Sequence, residues 1–261
     1  MKTIVRFATL GILVAALLAV AGCTLQQTGP TQTDSQTVDV AGAESVRADI
    51  LMGAGKLEIS GGASALMNAK FTYNVRDWRP EVDYSVSNKR GRLTVEQPST
   101  RGVPNTTNVR YEWDLRLNND VPMELTAKLG AGESNLDLRD LSLTSLEVQA
   151  GAGEVDISVP AKSLTLLKAV MGAGDMTIDL DGDWKNDLRA DVKGGVGTAT
   201  LRLPRNTGVR VTVEGGLGSV KAYDLNVDGR VYTNDAYGKS DVTLEISVAG
   251  GIGEVRLELG D

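Results

Sequence analysis

One short motif, glycine–any residue–glycine, recurs seven times and constrains the fold more than any other feature of the 261-residue sequence. From the second copy to the sixth, successive copies are about 21 to 23 residues apart, and such a regular period is typical of a repeat architecture. The seven copies are Gly53-Ala54-Gly55, Gly130-Ala131-Gly132, Gly151-Ala152-Gly153, Gly172-Ala173-Gly174, Gly195-Val196-Gly197, Gly216-Leu217-Gly218 and Gly251-Ile252-Gly253.

The hydrophobic pattern around each motif predicts a corner between two strands. Around the third copy, apolar residues alternate from Leu146 to Ala152 and resume, three residues later, at Val155. Two outward residues in a row between alternating segments indicate a bend or bulge, and glycine suits it because positive φ and close backbone approach are open to it. We expect the middle residue to point inward, and we expect Gly153→Val to cost about 1–3 kcal/mol if φ there is positive.

Stacked corners predict an all-β fold, a repeat-built β-solenoid that is similar to a parallel β-helix. The high glycine content and the scarcity of Phe and Trp agree with this fold class. Antiparallel hairpins with the motif at their tips are a weaker alternative, because such loops favour Asn-Gly or Asp-Gly, whereas Ala, Val, Leu or Ile stands between the glycines here. A β-sandwich stays open.

An insertion, residues 63–122, separates the first motif from the second and holds Trp78, Tyr111 and Trp113. Its alternating segments predict antiparallel strands, and Asn88-Lys89-Arg90-Gly91 is a plausible turn between two of them. The favoured interpretation is a cap that closes the apolar end of the solenoid. The alternative is an exposed ligand surface made by the three aromatic residues, for instance for glycans.

The N-terminus has the three zones of an export signal. Lys2 and Arg6 precede an apolar run that is too short to span a bilayer, and Val20-Ala21-Gly22-Cys23 resembles the lipobox of bacterial lipoproteins. We therefore predict a signal peptide over residues 1–22, a lipid on Cys23, a flexible polar tether over residues 23–38 and a single β-repeat domain over residues 39–261.

Charge and residue content exclude several functions. Loss of residues 1–22 would change the net charge from −7 to −9, which disfavours nucleic acid and anionic lipid surfaces as partners. The sequence contains no histidine and one cysteine, so it has no Ser–His or Cys–His pair, no imidazole metal ligand and no intrachain disulfide. We expect attachment to the membrane through the N-terminal lipid, and no cofactor.

The sequence disfavours three kinds of chemistry. The outward residues three places after each motif mix charges and do not form a calcium ladder, and Asp179-Leu180-Asp181-Gly182-Asp183 fits a turn at least as well as a cation site. Polysaccharide cleavage would need a placed carboxylate pair among residues such as Asp137, Asp156 and Asp179. Phosphate binding at the glycines would need a following helix, whereas strands are predicted there. The chain is therefore predicted not to be an enzyme.

Four segments carry a resemblance to a known family, namely Met52-Gly53-Ala54-Gly55, Tyr111-Glu112-Trp113-Asp114-Leu115-Arg116-Leu117, Val121-Pro122-Met123 and Leu129-Gly130-Ala131-Gly132. Together they resemble the toast-rack family of lipid-anchored or membrane-tethered bacterial proteins. The resemblance covers nearly all of residues 42–261 and implies an all-β repeat domain outside the membrane, related to the outer domain of cell-wall stress-response proteins. It implies no catalytic residues.

The predicted function is a non-enzymatic lipoprotein scaffold that faces the periplasm or the cell surface and contacts other envelope components. Long repeat faces suit extended partners. One alternative is a sensing or regulatory partner of a membrane protein that signals cell-wall stress. The other is a module that binds glycans or the cell wall through Trp78, Tyr111 and Trp113.

Overall fold

A computed structural model describes residues 28–99 and 108–260 of the chain. The predicted signal peptide and Cys23 lie outside these residues. The described residues form sixteen β-strands and a short 3-10 helix, Arg76–Trp78, so the prediction of an all-β fold is confirmed. The strands are β1 Gln32–Val38, β2 Ser45–Ala63, β3 Met67–Tyr73, β4 Glu81–Ser87, β5 Arg90–Glu96, β6 Tyr111–Asn118, β7 Met123–Asp137, β8 Leu143–Ser158, β9 Leu166–Asp179, β10 Leu188–Leu203, β11 Gly208–Glu214, β12 Leu217–Ala222, β13 Asn226–Asp228, β14 Val231–Thr233, β15 Thr243–Ala249 and β16 Ile252–Leu259.

Seven parallel rungs, each with one Gly-x-Gly motif, build the body of the solenoid. In stacking order, rungs 1 to 5 are the long strands β2, β7, β8, β9 and β10, rung 6 is β15 with β16, and rung 7 is β11 with β12. The halves before the motifs pair with one another and form a first wall, and the halves after the motifs form a second wall. The prediction of a repeat-built solenoid is confirmed.

The stacking order departs from the sequence order at the C-terminal end. Strand β15 pairs in parallel with both β10 and β11, and β16 pairs in parallel with both β10 and β12. The last part of the described chain therefore lies between the two rungs that precede it in sequence.

The core lies between the two walls, and in rungs 1 to 4 its buried stripe breaks at the corner over four residues. In rung 3, Leu146, Val148 and Ala150 are buried, residues 151–154 are exposed, and burial resumes at Val155. The expectation that the middle residue of the motif points inward is therefore wrong. Val196, for example, is 56% exposed, because the backbone turns at the corner and the period-two alternation does not continue through it.

The N-terminal end of the stack is closed by the insertion. Strand β5 continues the first wall beyond β2, and β6 continues the second wall, with β4 and β3 pairing antiparallel outside them. No Gly-x-Gly motif joins β5 to β6. Instead, the Gln97 side chain accepts hydrogen bonds from the backbone N–H groups of Gly53 and Ala54, at 2.8 and 3.2 Å, and so covers the first corner.

The predicted tether is too long. Residues 32–38 form β1, which pairs antiparallel with β3 from Gln32↔Tyr73 to Val38↔Met67. In addition, the Gly29 N–H donates to the Asn74 carbonyl at 2.7 Å. A polar segment can add a strand here because an edge strand needs only one partly covered face and the main-chain hydrogen bonds of its neighbour.

The C-terminal end of the stack is less completely covered. Strand β14 pairs antiparallel with β11 and extends the first wall, with β13 outside it. Among the described strands, β12 ends the second wall and pairs with β16 alone. Several large apolar side chains in this region are exposed, namely Val220, Tyr223, Val227, Tyr237 and Ile252.

Candidate functional site

The fourteen motif glycines form two columns of stacked backbone. The second glycines are register partners from Gly55 through Gly132, Gly153, Gly174 and Gly197 to Gly253 and Gly218, and the first glycines run alongside them. A Cβ on Gly153 would lie 1.8 Å from the carbonyl oxygen of Gly132, and one on Gly151 would lie 2.3 Å from that of Gly130. In rungs 2 to 7, the backbone of the neighbouring rung excludes side chains from both columns.

Backbone conformation adds a second requirement in the column of second glycines. Gly153 has φ 128° and Gly197 has φ 134°, values that L-residues with a side chain rarely adopt. The last rung differs, because its positive φ values fall on Gly215 and Gly216 instead of Gly218. The corners are therefore structural positions, and they hold no side-chain chemistry of their own.

The inward-facing residue that directly precedes each motif changes from a side chain to glycine along the stack. In rungs 1 to 4 these residues are the register partners Met52, Leu129, Ala150 and Met171, all buried. The register partner of Met171 in rung 5 is Gly194. In rungs 6 and 7 the equivalent positions are Gly250 and Gly215. The register shows this, because Ala249 pairs with both Lys193 and Glu214, and the two glycines follow Ala249 and Glu214 directly.

This loss of side chains leaves a small, partly open pocket of about 40 Å³ at the last three corners. Its lining combines buried side chains, among them Met171, Met176 and Val255, with the exposed Val196 and Ile252 and with the polar side chains of Thr198, Ser219 and Glu254. Sequence reasoning missed these glycines, although the doublets Gly194-Gly195, Gly215-Gly216 and Gly250-Gly251 stand in the sequence as a visible departure from the earlier motifs.

The three predicted ligand-surface aromatics are buried, so that interpretation is wrong. Trp78, Tyr111 and Trp113 are 7%, 3% and 1% exposed. Trp113 packs edge-on against Phe71 with ring centroids 5.5 Å apart, and Trp78 packs edge-on against Tyr111 at 5.2 Å. Large rings fill the end of a solenoid efficiently because each buries much apolar area. They form the cap that the sequence favoured.

The cap holds two buried polar atoms, the Tyr111 hydroxyl and Trp113 Nε1, that lack a hydrogen bond of good geometry with any residue that the structure describes. The Trp113 side chain lies close enough to the Tyr111 hydroxyl to lower its pKa slightly, against the larger effect of burial. Burial raises the pKa of the Tyr111 hydroxyl, so it stays protonated throughout the physiological range. Because an unsatisfied buried polar group costs free energy, these two atoms lower the stability of the cap.

The outer faces of the walls carry ion pairs between neighbouring residues. Arg139 lies 2.7 Å from Asp137 and Lys168 lies 2.8 Å from Glu147. Hydrogen bonds from Arg139 lower the pKa of Asp137, and hydrogen bonds from Lys168 and then Gln149 lower that of Glu147. A general acid needs a raised carboxyl pKa, so neither of these carboxylates is suited to the general-acid role in glycoside cleavage.

The acidic segment 179–183 is a turn between rungs 4 and 5. Asp179 Oδ1 accepts from the Asp181 N–H, and Asp181 Oδ1 accepts from the Gly182 N–H, whose residue has φ 140°. Asp183 pairs with Lys185 at 2.5 Å. Within residues 28–99 and 108–260, no group of three or more Asp, Glu, Cys or His side chains is arranged to hold a metal ion. No helix in that part of the chain has the length and apolar character to cross a membrane.

The fold and the stacked glycine corners define the class of protein: a β-solenoid with one end closed by aromatic residues. Comparison with known protein families then identifies the family. Residues 27–165 and 160–202 match the family described as the N-terminal domain of toast_rack, DUF2154. No curated relative matches the chain significantly. The match spans more than half of the sequence, so the chain belongs to the toast-rack family, as its motifs predict.

Solved structures agree with this assignment. A suspected cell adhesion protein from Clostridium sporogenes is 33% identical, with a TM-score of 0.70 over 88% of this chain and 100% of that chain. A suspected adhesin from Bacteroides fragilis is 9% identical, with a TM-score of 0.33 over 87% of this chain and 99% of its own. The second likeness is too weak to carry an argument; the first places this chain beside an adhesin-like module.

Proposed function

We propose that this protein is a non-enzymatic scaffold of the cell envelope, anchored to a membrane by lipid on Cys23 and presenting its solenoid to another envelope component. The observation that carries the proposal is the similarity, over the full length of the solved relative, to a protein named for cell adhesion. The stacked walls support it, because their paired strands and charged outer faces make a rigid, soluble platform.

The short distance along the chain from Cys23 to the folded domain gives the solenoid an orientation relative to the membrane. Gly29 is hydrogen-bonded at the capped end, six residues after Cys23, and an extended chain of that length reaches about 20 Å. A lipid on Cys23 therefore keeps the aromatic cap near the membrane. The opposite end, with the exposed Val220 and Tyr223, is free to turn away from it.

Anchoring is tested by metabolic labelling with a palmitate analogue and by membrane fractionation. The wild-type chain is expected to take up label and to sediment with membranes, and Cys23→Ser to do neither. Equal membrane retention of both proteins would show that the anchor lies elsewhere.

The interaction is tested by photo-crosslinking in intact cells. A photoreactive residue in place of Tyr223 samples the far end, and one in place of Lys70, on β3, samples the cap end as a matched surface control. We expect a discrete crosslinked partner from position 223 and a much weaker one from position 70. The reverse pattern would assign the contact to the membrane-proximal end, and no crosslink at either position would contradict the scaffold proposal.

A further inference from the structure

The middle residues of the seven motifs form one row along the outside of the corner, and this row is the corner ridge. Its members are the register partners Ala54, Ala131, Ala152, Ala173, Val196, Ile252 and Leu217. All seven are apolar, and those of rungs 2 to 6 are exposed to solvent. A single exposed apolar residue is ordinary, but a continuous apolar row on a protein surface is typical of an interaction site.

The ridge is low near the cap and tall near the far end. Rungs 1 to 4 contribute only alanine methyl groups. Rungs 5 and 6 contribute Val196 and Ile252, which lie side by side as register partners and are 56% and 58% exposed. The tall part therefore presents two branched aliphatic side chains to solvent.

A shallow, mostly apolar depression of about 660 Å³ lies beside the low part of the ridge, and it is the corner groove. Glycine lines it where the motifs begin, at Gly53, Gly130, Gly151 and Gly172. The outward residues two places before these glycines also line it, namely Leu51, Lys128, Gln149 and Val170. The groove thus belongs to rungs 1 to 4, whereas the tall part of the ridge belongs to rungs 5 and 6.

A second copy of the chain fits this surface when it lies along the corner in the opposite direction. In that orientation the tall part of each ridge faces the corner groove of the other copy. In the same direction, Val196 and Ile252 would meet their own equivalents, and both grooves would stay empty. The spacing also favours a second copy, because its side chains repeat every 4.8 Å or so, as the rungs of the groove do.

Charge indicates which rungs face each other. Lys128 lines the groove in rung 2, and Glu214 occupies the same outward row in rung 7. Both side chains are exposed, and neither forms an ion pair with a residue that the structure describes. When rung 2 lies against rung 7 of the other copy, Lys128 meets an opposite charge twice, once in each half of the pair. Ile252 then faces rung 3 at Ala152, and Val196 faces rung 4.

We propose that two copies of this chain associate along the corner in opposite directions, with the tall part of each ridge in the groove of the other. Seven rungs give a contact roughly 30 Å long. A strip of that length that is only a few residues wide covers less than the about 800 Å² per partner of a standard interface, so the pair is reversible, with a Kd in the micromolar range.

The orientation has a consequence for the membrane. The two aromatic caps lie at opposite ends of the pair, so copies anchored through Cys23 would join two facing membranes. This consequence rests on the anchoring proposed above, whereas the pair itself does not.

The orientation is tested by thiol crosslinking of the full chain carrying Cys23→Ser, because this chain has no other cysteine. One preparation carries Ile252→Cys and a second, with a different tag, carries Ala152→Cys. With a short thiol-specific crosslinker, we expect the mixed product to exceed the product of Ile252→Cys with itself. In the proposed pair, two copies of residue 252 are three rungs apart, roughly 14 Å.

The contact itself is tested by sedimentation equilibrium of the same unlipidated chain. Ile252→Lys is expected to weaken the dimer by about tenfold or more and to leave the melting temperature unchanged, because the side chain is exposed. Val227→Lys is the matched control, since Val227 is 59% exposed but lies on β13, away from the corner. Lys128→Glu is expected to weaken the dimer, and the double variant Lys128→Glu/Glu214→Lys is expected to restore it.

Three outcomes overturn the proposal. The first is a parent chain that stays monomeric up to about 1 mM, where a micromolar dimer would be complete. The second is a dimer that Ile252→Lys leaves unchanged or that Val227→Lys weakens equally. The third is a crosslinked product of Ile252→Cys with itself that exceeds the mixed product, which would show that the copies lie in the same direction. None of these readouts uses the lipid, so a failure of the anchoring proposal leaves them unaffected.

Discussion

Replacing one corner glycine by alanine tests whether the stacked backbone holds the solenoid together. In Gly153→Ala the new Cβ would lie 1.8 Å from the Gly132 carbonyl oxygen, whereas an ordinary contact is about 3.4 Å or more. Rungs 2 and 3 must therefore separate locally by more than 1 Å. The residue would also be held at φ 128°, which L-residues with a side chain avoid.

The expected loss of stability combines these two effects. Strain at such a φ costs about 1–3 kcal/mol, and each main-chain hydrogen bond that the separation breaks costs about 1 kcal/mol. With two bonds disturbed, we expect Gly153→Ala to lower the free energy of unfolding by about 3–5 kcal/mol. Urea unfolding followed by circular dichroism measures the shift of the midpoint.

Two further glycines separate the contributions. Gly151→Ala keeps an ordinary φ but places its Cβ 2.3 Å from the Gly130 carbonyl oxygen, so it tests crowding alone, and we expect a loss of about 2–3 kcal/mol. Gly229→Ala has φ 59° with no atom within 4 Å of the new Cβ, so it tests conformation alone, at about 1 kcal/mol. If all three variants unfold at the same midpoint, backbone stacking does not determine the corners.

Four other changes have expected outcomes, each measured by thermal or urea unfolding. Trp113→Ala should cost about 3–5 kcal/mol, since it empties the cap; a loss below 1 kcal/mol would contradict a packing role. Tyr111→Phe should stabilise by up to about 1 kcal/mol, because the buried hydroxyl has no hydrogen bond of good geometry with any described residue; a loss of stability would show that its contact with Trp113 is a stabilising hydrogen bond. Asn234→Ala should cost about 2–4 kcal/mol, because its buried amide accepts from the Val209 N–H and donates to the carbonyls of residues 204, 205 and 207; the exposed Asn226→Ala is its control. The lowered pKa of Asp137 means that its ion pair with Arg139 stabilises the fold above the unfolded carboxyl pKa near 4, and that this contribution is lost as pH falls through the folded pKa. The stability of Asp137→Asn should therefore decline less steeply than that of the parent between about pH 4 and pH 2. Parallel curves of stability against pH for the two proteins would refute the assignment.

The recurring motif predicted the fold because it combines two independent signals, glycine at a fixed period and a break in hydrophobic alternation. The same reasoning failed at the middle residue of each motif. Extrapolating period two through Ala152 assumes a straight strand, yet the turn at Gly153 carries that side chain to the outside. When the direction of a side chain depends on one backbone dihedral angle, it cannot be extrapolated from the hydrophobic pattern.

Tertiary context explains the other differences. The segment that includes Asp34 and Ser35 is polar and gives no strand signal, but the edge of β3 pairs with it. The aromatic residues of the insertion are compatible with either a cap or a binding surface, and only the position of β6 beside β2 makes them internal. The small pocket at the last three corners depends on which rung each glycine doublet joins, and that assignment required the strand register.

Strands β15 and β16 insert between rungs that precede them in sequence, and this has a consequence for how the chain can fold as it is synthesised. Rungs 1 to 5 can add one after another in the order of synthesis, but β11 and β12 have no parallel partner until the final segment arrives. Growth from one terminus therefore pauses, and the last residues complete the interior of the stack instead of extending it. A stop codon shortly before Thr243 would remove rung 6, and rung 7 would then have no neighbouring rung to pair with. Such a product should therefore be degraded, and not merely be a shorter solenoid.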